Sequence, residues 1–120
     1  MNPRKKLKIE ELLKREISNS ILYHMNDPRT GFISVTGVDL SEDQRSAKVR
    51  ITVRGKVRDI EETLHVLSRA RGFLQARIAD HLDLRYTPVL TFEEDENVLK
   101  ARRLEKLIDD ARKDDLEFRA

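Results

Sequence analysis

Ala47-Lys48-Val49-Arg50-Ile51-Thr52-Val53-Arg54 alternates apolar and polar side chains without a break. A period of two is the pattern of a strand with one dry face and one wet face. Ala47, Val49, Ile51 and Val53 therefore belong against a core. Lys48, Arg50, Thr52 and Arg54 face water, and three of those four are cations. Alternation asks for polarity on that side but not for one sign of charge. A solvated face and a polyanion-binding face are both open readings of this stretch.

Upstream, Ser41-Glu42-Asp43-Gln44 is a polar turn, and Phe32–Leu40 is a second β-rich run. Its apolar parity slips from Ile33 and Val35 to Val38 and Leu40. Gly37 sits at the slip, where a bulge would re-phase the strand. The simplest pairing of the two runs is an antiparallel hairpin. Before them, residues 6–25 read as an amphipathic helix with Ile9, Leu12, Leu13, Ile17 and Ile21 on one stripe. Asn26-Asp27-Pro28 stops it, because a residue before proline is pushed out of the α region. Gly31 then releases the chain into the strand.

Downstream, Gly55 ends the alternating strand, and Asp59 with Glu62 makes a capping-box-like helix start. Ile60, Leu64 and Leu67 form the next apolar stripe. At Ser68-Arg69-Ala70-Arg71-Gly72 the pattern breaks. It restarts on a rotated face with Phe73, Leu74, Ile78 and Leu82, so two helices are expected, joined at Gly72. Leu84-Arg85-Tyr86-Thr87-Pro88 reads as extended, and Val89–Phe92 as a short third strand. Asp95 or Asn97 caps a last helix with Val98, Ala101, Leu104, Ile108 and Ala111 on its inner side. Residues 113–120 are expected to fray. The expectation is one α+β domain over residues 1–112, in the order α-β-β-α-α-β-α, with a three-stranded sheet and its helices on one face.

A chain of 120 residues has room for one core. Its 24 Lys+Arg barely exceed its 22 Asp+Glu, so it is not a polycationic tail. The charge is nevertheless uneven. Residues 45–90 carry ten basic and five acidic side chains, whereas residues 91–120 carry seven and ten. The chain has no cysteine, which excludes disulfides, thiolate catalysis and cysteine-based zinc sites and fits a reducing cytosol. No apolar run approaches the ~20 residues of a membrane span. MNPRKKLKIEELLK lacks the apolar centre of a secretory signal, and Glu10, Glu11 and Glu16 argue against a transit peptide.

Catalytic patterns are weak. His24, His65 and His81 lack metal-ligand spacing. Glu93-Glu94-Asp95-Glu96 reads as a strand exit with favourable charge at a helix start, although with Mg²⁺ a small RNA hydrolase could use such carboxylates. Neither a nucleophile elbow nor a Walker or GxGxxG loop is present. The expectation is no catalysis, no cofactor and no metal. Phe32, Phe73 and Phe92 fit core positions, which leaves no exposed aromatic pair for base stacking. Nucleic acid would then be recognised by shape and backbone.

Phosphates are met by arginine forks, lysine charges and helix N-terminal N–H groups. Arg69, Arg71 and Arg77 flank the helix junction, and Gly72 has no Cβ to hold a backbone off. The same residues would also serve a plain helix cap with solvated arginines.

Several stretches together carry a family likeness. They are Glu16-Ile17-Ser18, Asp27-Pro28-Arg29-Thr30-Gly31-Phe32, Val35-Thr36-Gly37-Val38-Asp39-Leu40-Ser41 and Ala47-Lys48-Val49-Arg50-Ile51-Thr52-Val53, followed by Ser68-Arg69-Ala70-Arg71-Gly72-Phe73 and Leu84-Arg85-Tyr86-Thr87-Pro88-Val89-Leu90-Thr91-Phe92. In this order the chain resembles the ribosome-binding factor A family of bacterial small-subunit maturation factors. The resemblance implies a KH-like fold of type II. In it, an Ala-x-Gly kink, here Ala70-Arg71-Gly72, replaces the GXXG loop with which KH domains grip single strands. It implies a non-catalytic factor that binds the free 30S subunit and its 16S rRNA and promotes late maturation, including 5′-end processing. A ribosome-dependent GTPase would act in release. The factor would be cytoplasmic, monomeric and not membrane-bound, and associated with growth in the cold. Lys48, Arg50, Arg54, Arg69, Arg71 and Gly72 are the expected RNA-binding residues, joined through the resemblance by Arg77 and Arg85. The alternative is a ferredoxin-like protein-interaction or small-ligand regulatory module, which needs β-α-β-β-α-β order.

Overall fold

The computed structural model describes residues 1–25, 32–55 and 57–119, without the side chains of Phe32, Val57 and residues 114–119. The elements are α1 (Pro3–His24), β1 (Phe32–Leu40), β2 (Ser46–Arg54), α2 (Val57–Arg69), α3 (Arg71–His81), β3 (Val89–Glu94) and α4 (Glu96–Arg119). This is the expected order. It starts with a helix and sets two helices after the hairpin, which excludes the ferredoxin-like alternative.

The alternating strand β2 is the centre of the sheet, with β1 antiparallel on one side and β3 parallel on the other. A hairpin joins β1 to β2. Parallel neighbours need a crossover, which α2 and α3 supply. The parity slip in β1 is a bulge: Val35 stands opposite Ile51 and Gly37 opposite Arg50, with Thr36 as the extra residue. Ala47, Val49, Ile51 and Val53 are buried as their alternation requires. Against them lie Ile9, Leu13 and Ile17 from α1, Ile60 and Leu67 from α2, Leu74 and Ile78 from α3, and Leu90 from β3. The first three helices cover this face. The other, bearing Lys48, Arg50 and Arg54, stays open.

Four expectations need correction. The helix α2 begins at Val57, so Asp59 lies inside its first turn and is not the residue that precedes it. The helices meet at Ala70, not Gly72. The Ala70 N–H bonds to Val66 O and the Leu74 N–H to Ala70 O, each at 3.0 Å, which leaves Gly72 in the first turn of α3. Phe73 is 42% exposed. Leu74 and Ile78 take the inward positions of α3, and Phe73 lies off that stripe, one helical turn from Arg77. In α4, only Val98 of the expected inner stripe is partly buried; Ala101, Leu104, Ile108 and Ala111 are exposed. The other three helices already occupy the apolar face of the sheet, and the open face is charged, so this stripe has no apolar surface of the sheet to lie on.

Phe92 is partly buried against the core, as expected. The helix α1 ends at His24, with Met25 extended. Asn26-Asp27-Pro28 and Gly31 lie outside the described residues, as does the side chain of Phe32. The segment before β3 bends at Arg85 and Tyr86. The backbone of α4 is helical through residues 113–119.

Candidate nucleic-acid interface

The open sheet face holds fewer available cations than its sequence suggests. Lys48 Nζ stands 4.0 Å from Glu93 Oε2 of β3, and Arg50 Nε 3.2 Å from Asp39 Oδ2 of β1. The Arg50 guanidinium reaches Asp39 by crossing Gly37, where an added Cβ would overlap it. The bulge glycine is thus needed for close approach. Arg50 Nε is shielded from solvent and lacks an aligned hydrogen bond, while Nη2 of the same guanidinium donates a long bond to Asp39 Oδ1 at 3.5 Å. Arg54 is exposed and pairs with no carboxylate among the described residues. Exposed ion pairs are worth only about 0.2–1 kcal/mol, so a phosphate could displace the acid from Lys48. Arg50 is held sterically as well.

The acidic run at 93–96 is taken up by structure. Glu93 faces Lys48. Glu94 takes an Arg102 fork, with Nη1 at 2.8 Å from Oε2 and Nη2 on Oε1, and this raises the guanidinium's pKa further. Asp95 is buried and caps α4: its Oδ1 accepts the Asn97 N–H at 2.9 Å, which decides between the two candidate caps. Its Oδ2 accepts the hydroxyl of the bulge residue Thr36 at 2.7 Å. The Thr36 hydroxyl first, then the Asn97 N–H, holds the Asp95 carboxyl below its ordinary range. No three His, Asp or Glu side chains among the described residues are grouped to hold a metal ion.

The α2–α3 junction is different. Ala70 gives α3 no side-chain cap. Nothing lies within 4 Å of where a Cβ on Gly72 would stand, so the space above it is open. Arg69 is exposed. Arg71 is partly buried, with its Nε shielded and without a hydrogen-bond partner. Neither pairs with a carboxylate among the described residues. The exposed Phe73 ring stands 6.0 Å from the Arg77 guanidinium carbon.

Arg77 itself is turned toward α1. Its Nε donates to Ser20 Oγ at 3.0 Å and lies 3.7 Å from Glu16 Oε1, which also meets His81 Nδ1 at 2.7 Å. The pairs Glu16/Ser20 and Arg77/His81 are each spaced i,i+4. That spacing was the available signal for a polar tie between two helices.

Arg85 stands 5.3 Å from the centre of the Tyr86 ring, and Arg45, from the β1–β2 turn, stands 4.7 Å from the same ring. Sequence reasoning selected Arg85 but neither of its companions. They meet only because β2 and β3 start side by side, with the Val89 N–H on Arg45 O at 2.9 Å. Lys48, Arg50 and Arg54 therefore share the open face, Arg69, Arg71 and Gly72 share the junction, Arg77 braces α1, and Arg85 belongs to the strand-start end.

A helix-first α+β module with a mixed three-stranded sheet and an Ala-x-Gly junction between its crossover helices is a KH-like module of type II. The chain belongs to the ribosome-binding factor A family, whose profile matches residues 5–108. It is 34% identical over 115 residues to Ribosome-binding factor A of Staphylococcus epidermidis, covering 96% of this chain and 99% of that one. It is similar to the crystal structure of ribosome-binding factor A from Thermus thermophilus, with a TM-score of 0.68 and 31% identity over 74% of this chain and 94% of that one. A further likeness is to Thermus thermophilus ribosome-binding factor A as fitted into a cryo-EM map of a 30S complex. There the TM-score is 0.61 and the identity 31%, over 72% of this chain and 90% of that one.

Proposed function

We propose that the protein is a non-catalytic assembly factor that binds 16S rRNA in the free 30S subunit and promotes its late maturation, including 5′-end processing. The observation that carries the reading is the α2–α3 junction, where Arg69 and Arg71 have no acidic partners among the described residues beside the open space over Gly72. The relative seen in a 30S complex supports the same partner. The mechanism is occupancy: bound protein holds rRNA elements in an immature arrangement until the subunit is ready. Arg54, Arg69, Arg71 and Arg85 neutralise phosphates directly. Lys48, Arg50 and Arg77 contribute after releasing Glu93, Asp39 and Glu16. Gly72 admits the backbone closely, and Ala70 sets the kink. The protein acts as a cytoplasmic monomer, is released by a ribosome-dependent GTPase and supports growth in the cold.

Sedimentation of the tagged protein with cell lysate tests this. It should travel with free small subunits. Travel with full ribosomes, or a peak confined to the top of the gradient, contradicts the reading. Precursor rRNA incubated with the protein and Mg²⁺ should stay intact. Cleavage abolished by Glu93→Ala but not by Arg50→Ala would establish an enzyme instead.

A further inference from the structure

At the end of the sheet where β2 and β3 begin, two guanidinium groups converge on one ring. Arg45 and Arg85 stand 4.7 and 5.3 Å from the centre of Tyr86. Both arginines are exposed, and neither pairs with a carboxylate among the described residues. The adjacent acid, Asp43, is held in the turn: its Oδ1 accepts the Ser41 hydroxyl at 2.6 Å and the Arg45 backbone N–H at 3.1 Å, and its charge acts on Arg45 without forming an ion pair with the guanidinium. Two like charges beside one ring repel each other, and the ring face and the nearby carboxylate offset that only in part.

The geometry points to a subsite for an RNA backbone phosphate formed by Arg45, Tyr86 and Arg85. Stacking uses the flat face of a guanidinium and leaves N–H donors on its edge for phosphate oxygens. Tyr86 gives both side chains a fixed surface, so less rotamer freedom is lost on binding. The frame beneath is firm: Ser46 stands opposite Val89, and the Val89 N–H bonds to Arg45 O at 2.9 Å. A bend at Arg85 and Tyr86 turns the chain before β3. The subsite extends the proposed interface beyond the helix junction to a second point, and it rests on the rRNA-binding reading.

The test is binding of the full chain to precursor 16S rRNA across a salt series, with circular dichroism to confirm folding. Compared are the parent, R45Q, R85Q, R45Q/R85Q, Y86F and Y86L. The double variant should bind about tenfold more weakly, with the slope of log K against log salt reduced by about 0.7–0.9, one phosphate's worth. Each single variant should lose less. Y86L should weaken binding with both arginines present, whereas Y86F, which keeps the ring, should match the parent. A folded double variant with the parent's affinity and slope overturns the subsite and leaves the junction reading standing. A parent chain that binds no rRNA at any salt overturns both.

Discussion

The open face of the sheet presents three cations and the α2–α3 junction two, in different electrostatic states. On the face, the register sets Asp39 and Glu93 beside Arg50 and Lys48, and of the three only Arg54 pairs with no acid among the described residues. At the junction neither Arg69 nor Arg71 pairs with an acid among the described residues, whereas Arg77, further along α3, is tied to α1. The basic excess of residues 45–90 is real as arithmetic. The acids that answer it on the face lie at positions 39 and 93, outside that segment, and strand pairing brings them in. Charge along a chain becomes surface potential only after the topology has chosen the neighbours.

The largest effect should come from breaking the junction. Arg69→Gln with Arg71→Gln should weaken rRNA binding by about tenfold or more and reduce the salt slope by about 1.4–1.8, two phosphates' worth. Binding isotherms at several salt concentrations would show it.

Removing an acid from the face should act in the opposite direction. Glu93→Gln frees Lys48 and should tighten rRNA binding about threefold, because an exposed pair withholds only about 0.2–1 kcal/mol. Lys48→Gln should weaken binding by no more than a similar factor. If Lys48→Gln proves as damaging as the junction double variant, the contrast between the two regions is lost.

Gly37→Ala sharpens the comparison at smaller amplitude. The new Cβ would push the Arg50 guanidinium off Asp39, while the backbone at this position is not of the left-handed kind that requires glycine. Urea unfolding should show a loss below about 1 kcal/mol.

A pH series reads the tie between the bulge and α4. The Asp95 carboxyl is held below its ordinary range in the folded chain. Its contribution is therefore complete above the unfolded value of about 3.9 and fades as pH falls through the folded one. Thr36→Val removes the hydroxyl that does most to hold it there. The stability gap between parent and variant should be constant near neutrality and shrink only as pH falls below about 4.

Much of the fold was legible in the sequence. Alternation from Ala47 to Val53 located the central strand, and the parity slip located the bulge at Gly37. The apolar stripes of the first helices supplied core residues such as Leu13, Ile17, Leu67 and Leu74. In α4 the same reasoning overreached, because periodicity marks a face without saying whether anything covers it. Phe73 was misplaced because, at about 100° per residue, it points well away from Leu74 and Ile78, the pair that the core takes.

The candidate site was harder to read than the core. Its cations were visible as residue types, but their partners depend on register and on a parallel strand that local pattern does not reveal. Arg45 and Tyr86 lie far apart in sequence and became neighbours only through β2 and β3. For Arg77, expected as a phosphate ligand, pattern gave no sign that α1 would set Glu16 and Ser20 beside it.

The most direct test of the central claim is the salt dependence of the parent protein's affinity for free 30S subunits. Arg45, Arg54, Arg69, Arg71 and Arg85, none of them in an ion pair among the described residues, should steepen log K against log salt to a slope of about −3 or beyond. An affinity unchanged between low and physiological salt would contradict the account.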